Sequence, residues 1–440
     1  MTNLEIGLWS FPVLLALIFV RVPIGLSMLI VGVLGNYFVR GSFTPILAQF
    51  KDLSFSTFSA YSLSIIPLFL LMGQFAALGG MSQSLFKAAA TWLGHRKGGV
   101  AMAAVGACAG FGAICGSSLA TAATMGQVAL PELKRYGYSG ALATGTLAAG
   151  GTLGILIPPS VILVIYAILA EQNIAKLFVA AFVPGILAAI GYMIAISIYV
   201  RLKPDSAGSR PRASYRERFA ALMGVWPVLM VFFLVVGGIY FGWFTPTEAA
   251  AIGAVGTGVI ALLNGGLTRK TFIEAILVTA SATAMIFLIV FGANVYNAFL
   301  ALSQLPQEAA AFVTAQGFNP WLVLFIILAF YMVFGCVMDS LSMILLTIPI
   351  FFPIVSALDF GLPPAEFGLW FGILVLIVVE VGLITPPVGM NLFIINNMAK
   401  GTSMLETYKG VLPFVISDVI RVVILTAFPV ISLFVVRWLF

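Results

Sequence analysis

Two doubled prolines interrupt long apolar stretches, and each follows a glycine: Gly154-Ile-Leu-Ile-Pro-Pro and Gly382-Leu-Ile-Thr-Pro-Pro. Proline has no backbone N–H and restricts the residue before it, so the carbonyl groups one turn upstream lose their hydrogen-bond donors. In an apolar environment each unpartnered carbonyl costs several kcal/mol. A partly dehydrated cation would satisfy these oxygens, and a simple proline kink is the alternative.

Hydroxyl groups accompany both doubled prolines. Thr152 lies two residues before the first glycine, and Thr385 directly precedes Pro386. Two further motifs combine glycine with a hydroxyl residue: Gly112-x-x-x-x-Ser117 and Gly335-x-x-x-x-Ser340. Carbonyl and hydroxyl oxygens suit an alkali cation, whereas calcium would call for a cage of carboxylates. The residue types favour sodium over a proton, because the first set of motifs contains no titratable side chain.

Three acidic residues lie within or beside apolar stretches. Asp339, which the spacing aligns with Gly116, would be costly at membrane depth and so indicates function, with capping of the next helix as the alternative. The run Thr-Pro-Thr-Glu that ends at Glu248 is typical of a capping box and predicts a structural role. Glu380 would pair with a cation or contact another helix.

The composition places these motifs in a membrane. Of 440 residues, 62% are hydrophobic and 8% are charged, against about 25% charged in an ordinary soluble chain. Runs such as residues 321–333 are apolar on every face, which excludes the alternating strands of a membrane barrel. The chain is predicted to be an all-α polytopic membrane protein. Three cysteines, Cys108, Cys115 and Cys336, are expected to pack, and the single His95 cannot build a transition-metal site.

Ten membrane crossings are predicted from the apolar runs. Their ranges are 4–20, 23–39, 62–80, 139–170, 178–200, 225–242, 246–263, 276–298, 366–399 and 411–438. With both termini outside, seventeen of the 21 Lys and Arg residues, Arg421 among them, fall on the cytoplasmic side. The four that remain outside are Arg40, Lys51, Lys176 and Arg437. Because basic residues favour the cytoplasmic side, the count predicts an N-out, C-out topology.

Two stretches do not fit as crossings. Residues 98–133 have basic residues on both flanks, yet 36 residues are too few for two full spans. They are predicted to form a re-entrant hairpin with its turn at Gly116-Ser117-Ser118. Residues 319–358 are predicted to form a second hairpin from the outside, because their flanks carry Glu308, Asp359 and Glu366 and no basic residue.

The chain also repeats itself. Pro23 recurs as Pro246, Gly73 as Gly292, Gly112 as Gly335 and Gly154 as Gly382, with offsets of 223, 219, 223 and 228. Five crossings per unit is an odd number, so the second unit is expected to lie inverted, as in secondary transporters. The predicted units are residues 1–200, with a broken helix at 139–170, and residues 225–440, with a broken helix at 366–399. The Arg-rich linker 201–224 is expected to meet anionic lipid rather than nucleic acid.

These motifs resemble the large membrane subunit of tripartite ATP-independent periplasmic (TRAP) transporters. The most specific stretches are Gly154-Ile-Leu-Ile-Pro-Pro-Ser160, Gly382-Leu-Ile-Thr-Pro-Pro-Val-Gly-Met-Asn391 and Gly137-Tyr138. The resemblance implies an elevator-type fold of the ion-transporter superfamily in the bacterial inner membrane. It further implies sodium-driven transport of an organic anion, usually a carboxylate, with a small four-helix membrane subunit and a periplasmic substrate-binding protein as partners.

The resemblance also suggests site residues by position. It places sodium ligands at each hairpin tip together with the neighbouring break. The sodium-binding candidates are Gly112, Gly116, Ser117, Thr152, Gly154, Gly335, Met338, Asp339, Gly382 and Thr385. The substrate-binding candidates are Ser118, Ser160, Ser340 and Asn391. The first tip reads Cys115-Gly116-Ser117, where the commonest family pattern is Ser-Gly-Ser, so residue 115 is not taken as a side-chain ligand.

Other functional classes fit less well. A stand-alone sodium–carboxylate transporter would share every feature except the binding protein and is the open alternative. An intramembrane enzyme would need a nucleophile with a base, and His95 lies among basic residues outside the apolar runs. Dead-end hairpins argue against the continuous lining of a channel. A primary pump is not supported, because the sequence contains no Gly-x-x-x-x-Gly-Lys-Ser/Thr phosphate loop.

Overall fold

The computed structural model describes residues 2–440, and all regular secondary structure in this range is helical. The first half forms α1 (Asn3–Phe19), α2 (Ile24–Arg40), α3 (Thr44–Phe58), α4 (Ile65–Leu78), α5 (Met81–Leu93), α6 (Gly99–Cys115), α7 (Ser118–Arg135), α8 (Gly140–Leu156), α9 (Val161–Leu169) and α10 (Ile174–Leu202). The second half forms α11 (Tyr215–Met223), α12 (Trp226–Phe232), α13 (Gly238–Tyr240), α14 (Pro246–Leu263), α15 (Arg269–Ser303), α16 (Leu305–Ala315), α17 (Pro320–Gly335), α18 (Ser340–Ser356), α19 (Pro364–Gly382), α20 (Met390–Met398), α21 (Met404–Ala427) and α22 (Val430–Leu439).

Six helices within residues 2–440 are long and apolar enough to cross a membrane. They are Tyr61–Leu78, α10, α14, α15, α19 and α21. The number rises to eight if α8 with α9, bent by 47°, and α11 with Trp226–Tyr240, bent by 45°, each form one span. Helices α1 and α2, predicted as crossings, are apolar helices of 17 residues each. By length and composition, residues 2–440 therefore contain six to eight candidate spans, against the ten predicted.

The last predicted crossing, 411–438, is not a single helix. Helix α21 ends at Ala427 and α22 begins at Val430. Phe428 leaves the helical region, with φ −127° and ψ 75°. The cause is Pro429, which lacks an N–H and disfavours a helical conformation in the residue before it.

The helices break at both doubled prolines, as the sequence predicts. Helix α8 ends at Leu156, and Ile157 before the first proline is extended, with φ −99° and ψ 116°, as expected of a residue that precedes proline. Helix α19 ends at Gly382, seven residues before α20 begins. Both Pro-Pro peptide bonds are cis. The helices are interrupted at Pro158-Pro159 and at Pro386-Pro387.

Both predicted hairpin segments form two helices joined by a short turn. In the first, α6 ends at Gly116, whose φ of +64° is favourable only for glycine, and Ser117 caps α7. In the second, four residues separate α17 from α18, and Asp339 caps α18. The two turns thus differ in length by two residues, which changes the alignment of their tips.

The segment between the halves is partly helical. Helix α10 continues to Leu202, and α11 lies inside the predicted linker 201–224. The linker packs on α5, because Arg210 N–H donates to Gly94 O over 2.8 Å and Trp92 Nε1 donates to Arg218 O over 3.2 Å. Its extended portion is therefore held against the first half.

The helices that contain the breaks are the most buried ones. Every residue of α8 from Leu142 to Leu156 is buried, and so is every residue of α19 from Phe367 to Gly382. By contrast, α14 and α15 expose large apolar side chains, such as Leu262 and Leu277. Helix α2 packs along α15, and α4 packs along α14, outside this buried block. Most of the candidate site residues are buried in these helices and their neighbours, whereas Ser117, Asp339 and Thr385 are partly exposed.

Candidate ion and substrate site

The first hairpin tip contacts the first helix break. A Cβ atom on Gly112 would collide with the backbone of Gly154, and a Cβ on Gly116 would lie 3.3 Å from Pro159 O. The glycines therefore permit a close approach of two backbones that any side chain would prevent. Because of this approach, Gly112, Gly116 and Gly154, predicted as one site from separate motifs, lie together.

Thr152 lies two residues before Gly154 in the same helix. Its hydroxyl donates to Ala149 O over 2.7 Å and lies 2.9 Å from the hydroxyl of Tyr192. A second hydroxyl, on Thr121, lies against Gly154 and is buried without a hydrogen-bond partner within residues 2–440. Thr121 was not predicted as a site residue. Its position one turn after Ser117, on the face of α7 that meets α8, is the feature of the sequence that could have identified it.

The second tip contacts the second break in the same manner. A Cβ atom on Gly382 would lie 2.6 Å from the backbone of Gly335. Gly389 N–H donates to Cys336 O over 3.0 Å, so the tip and the break also share a hydrogen bond. Thr385 donates its hydroxyl to Val381 O over 2.6 Å, which leaves the oxygen lone pairs free. Met338 is buried at the same tip.

Asp339 caps helix α18. Its Oδ2 accepts from Ser342 N–H over 3.0 Å, and its Oδ1 accepts from the hydroxyl of Ser342. Ser117 has the same position at the start of α7, where its hydroxyl accepts from Ala120 N–H over 3.4 Å. The alignment of Asp339 with Gly116 is therefore wrong, because the second turn is longer and the matching residue is Ser117. In the structure this carboxylate caps the following helix, which is the alternative role considered for Asp339 from the sequence.

Two substrate-binding candidates face one carboxylate. Ser340 donates its hydroxyl to Glu380 Oε1 over 2.5 Å, and the hydroxyl of Ser118 faces the same group. Glu380 is 1% exposed, and its Oε2 has no partner within residues 2–440. Glu380 is thus buried against the first residues of α7 and α18.

The other two candidates lie in the same buried block. Ser160 caps α9, with its hydroxyl accepting from Leu163 N–H over 3.4 Å. Asn391 donates its Nδ2 to Ala148 O over 3.3 Å, while its Oδ1 is buried without a partner within residues 2–440. Asn391 therefore links α20 to α8 and presents one free oxygen.

The donor set fits a hard cation. Ten buried side-chain oxygens within residues 2–440 have no partner, and three of them lie beside the tips or the breaks: the hydroxyl of Thr121, the amide oxygen of Asn391 and one carboxylate oxygen of Glu380. Buried polar atoms normally have partners, so unsatisfied oxygens around two helix breaks are suitable ligands for an oxygen-binding ion. Cys108 and Cys115 are buried in helix packing, whereas the thiol of Cys336 donates to Pro386 O over 3.5 Å at the second break.

Two charged residues in α21 form a buried ion pair that the sequence analysis misassigned. Arg421 was counted among cytoplasmic residues, but its Nη2 lies 2.7 Å from Asp418 Oδ1 and both side chains are at most 6% exposed. Tyr192 donates its hydroxyl to Asp418 Oδ2 over 2.7 Å. The spacing of Asp418 and Arg421, three residues apart on one helix, was the available signal.

Elsewhere, the capping role of Glu248 is confirmed by Thr245 N–H, which donates to Glu248 Oε2 over 2.8 Å.

Comparison with known proteins identifies the family. Residues 11–431 match the family described as "Tripartite ATP-independent periplasmic transporter, DctM component". The chain is 38% identical over 387 residues, 88% of each protein, to the C4-dicarboxylate TRAP transporter large permease protein DctM of Pseudomonas aeruginosa. It is 30% identical over 416 residues to the sialic acid TRAP transporter large permease protein SiaM of Vibrio cholerae, covering 94% of this chain and 95% of SiaM.

A solved structure has the same overall fold. The YdaH transporter of Alcanivorax borkumensis superimposes with a TM-score of 0.60 over 86% of this chain and 88% of that protein, at 14% sequence identity. This likeness supports an all-α transporter fold. The family match and the relatives together show that the chain is a transporter permease and not an enzyme, and that it belongs to the TRAP transporter family as its large, multi-pass membrane subunit.

Proposed function

We propose that this permease subunit imports an organic anion, a carboxylate, driven by an inward sodium gradient across the bacterial inner membrane. The observation that carries the proposal is the pairing of each hairpin tip with a helix break, Gly112 on Gly154 and Gly335 on Gly382. The same close approach occurs twice, once in each half of the chain. Each pairing gathers carbonyl and hydroxyl oxygens at a place where regular helix hydrogen bonding stops.

The proposed sodium ligands form two groups. The first is Gly112, Gly116, Ser117, Thr152 and Gly154, and the second is Gly335, Met338, Asp339, Gly382 and Thr385. The unpartnered hydroxyl of Thr121 supports an ion at the first group. A bound sodium ion would supply the positive charge that a carboxylate substrate requires, and the N-terminal ends of α7 and α18 would add partial positive charge.

An elevator motion is the proposed mechanism. The moving block would contain the two hairpins and the two broken helices, and the scaffold would contain α2, α4, α14 and α15. The burial of α8 and α19, together with the exposed apolar surface of α14 and α15, supports this division. It also agrees with two inverted repeats at residues 1–200 and 225–440, because each repeat would contribute one hairpin and one broken helix.

The partners and substrate are proposed from the relatives. Their names describe large permease proteins of tripartite transporters, so we propose a small four-helix membrane subunit and a periplasmic binding protein for this chain. Three relatives at 38%, 32% and 31% identity are named for C4-dicarboxylate, which makes a C4-dicarboxylate the first substrate to test. Lipid of the bilayer is proposed to surround the membrane-spanning helices, and no nucleic-acid partner is proposed.

The proposed orientation is N-out and C-out. Removing Arg421 from the seventeen cytoplasmic basic residues leaves sixteen, against four outside. The asymmetry that supports the orientation is therefore nearly unchanged.

Uptake by reconstituted vesicles tests the proposal. The permease and the small subunit are reconstituted together, the binding protein is loaded with a labelled C4-dicarboxylate, and sodium is present outside only. Uptake is expected to require both the sodium gradient and the binding protein. Full uptake with a proton gradient alone would contradict the sodium proposal, and full uptake without binding protein would favour the stand-alone alternative.

A further inference from the structure

Glu380 is one of two carboxylates buried within residues 2–440, and it has no cationic partner. The other is Asp418, which is paired with Arg421 over 2.7 Å. No lysine or arginine within residues 2–440 lies within salt-bridge distance of Glu380. Asp418 and Arg421 compensate each other, so Glu380 has no cation of the protein to stabilise its ionised form. A charge at this depth is costly unless something neutralises it.

The position of Glu380 joins the two hairpins. The hydroxyls of Ser118 and Ser340, which face its carboxylate, belong to the first residue of α7 and the first residue of α18. One oxygen of the carboxylate accepts from Ser340, and the other is buried without a partner. The helix ends supply partial positive charge but no full charge. This arrangement leaves one buried carboxyl oxygen without a hydrogen bond beside two hydroxyl groups.

Asp339, the carboxylate of the second tip, does not offer a free oxygen of this kind. Both oxygens of Asp339 accept hydrogen bonds from Ser342, which holds the group at the start of α18. Asp339 is also only partly buried. Glu380, which the tip motifs do not include, is therefore the buried carboxyl group beside both hairpins that has no ionic partner.

We propose that Glu380 is the anionic ligand of a sodium site that the two hairpins share, with the hydroxyl oxygens of Ser118 and Ser340 as neutral ligands. The proposal rests on the sodium coupling proposed above. A single carboxylate with neutral oxygens suits a monovalent cation, because a divalent ion would require more negative ligands. A cation at this position would stabilise the ionised form of Glu380 and place positive charge beside the hydroxyls of Ser118 and Ser340.

Sodium titration of the purified permease and small subunit tests the proposal without transport. Melting temperature is followed against sodium chloride at constant ionic strength, with choline chloride as the balancing salt. Wild type is expected to gain stability with sodium, and its half-saturating concentration is expected to rise roughly tenfold to a hundredfold in Glu380→Gln. The matched control is Glu366→Gln, a carboxylate of the same helix that pairs with Arg437 near the surface and is expected to keep the wild-type value.

Different failures have different meanings. If wild type gains no stability from sodium, the proposed function and this site both fail. If wild type responds and Glu380→Gln titrates like wild type, only this site is overturned, and the same holds if Glu380→Gln changes the dependence on pH alone. If Glu380→Gln does not fold, the double variant Ser118→Ala with Ser340→Ala is titrated instead. A raised half-saturating concentration there supports the shared site, and an unchanged one overturns it.

Discussion

Tyr192 donates its hydroxyl to Asp418 over 2.7 Å, although 226 positions separate the two residues in the chain. The same hydroxyl lies 2.9 Å from Thr152, and Asp418 is paired with Arg421. Four buried side chains therefore form a continuous polar chain from the first broken helix, through α10, to α21. These four side chains hold the hydroxyl oxygen of Thr152, a proposed sodium ligand, in place through residues that are not themselves proposed ligands.

Tyr192→Phe is expected to destabilise the protein by about 1–3 kcal/mol, because it removes the hydroxyl that donates to the buried Oδ2 of Asp418. It should also weaken sodium binding, since Thr152 loses its orientation. Thermal unfolding with and without sodium measures both effects. Tyr61→Phe, at an exposed tyrosine, is the control. A normal sodium response in a destabilised Tyr192→Phe would limit the polar chain to a structural role.

Gly112→Ala is expected to abolish transport, because a methyl group would meet the backbone of Gly154 and separate the first tip from its break. Gly106→Ala on the same helix is the matched control, since its methyl group would meet Met193 Cε at an ordinary 3.5 Å. Uptake per folded molecule compares the two variants. Wild-type uptake in Gly112→Ala would show that the tip does not need this close contact.

Thr385→Val is expected to raise the half-saturating sodium concentration roughly tenfold to a hundredfold, as one oxygen ligand is replaced by a methyl group. Thr314→Val removes the same type of hydroxyl bond, to Ala310 O over 2.8 Å, at an exposed helix position and serves as the control. Ser160→Ala is unsuitable as a control, because Ser160 caps α9. Unchanged sodium dependence in Thr385→Val would remove this hydroxyl from the site and leave the break as a proline kink.

Cysteine labelling is expected to place residue 212 in the cytoplasm and both termini in the periplasm. The natural cysteines, Cys108, Cys115 and Cys336, are buried, so background labelling should be low. An impermeant reagent added to intact cells should react with a cysteine appended after Phe440 but not with Arg212→Cys. Labelling of both positions from the same side would contradict the inverted repeat.

Features that depend on neighbouring residues could be predicted from the sequence. The helix breaks follow from the missing N–H groups of adjacent prolines, and the first turn follows from Gly116 and Ser117. The length of the second turn was harder to predict, because the run from Cys336 to Asp339 contains no glycine to mark where α17 ends. That is why Asp339 was aligned with the wrong partner.

The individual side-chain partners that lie far apart in the sequence could not be predicted. Glu380 meets Ser340 across 40 positions, and Tyr192 meets Asp418 across 226. No periodicity in an apolar helix indicates which buried partner a polar residue will find. Arg421 is the exception, since Asp418 lies three positions away and the pair could neutralise itself within a span. A count of basic residues alone did not take this pairing into account.

Simultaneous measurement of labelled sodium and labelled substrate entering the same vesicles tests the central claim most directly. The vesicles contain the permease with its small subunit, and the substrate is supplied on the binding protein. Sodium entry is predicted to appear only when loaded binding protein is present, and to fall together with substrate entry in Thr385→Val. Substrate entry at the full rate without accompanying sodium entry would contradict the account.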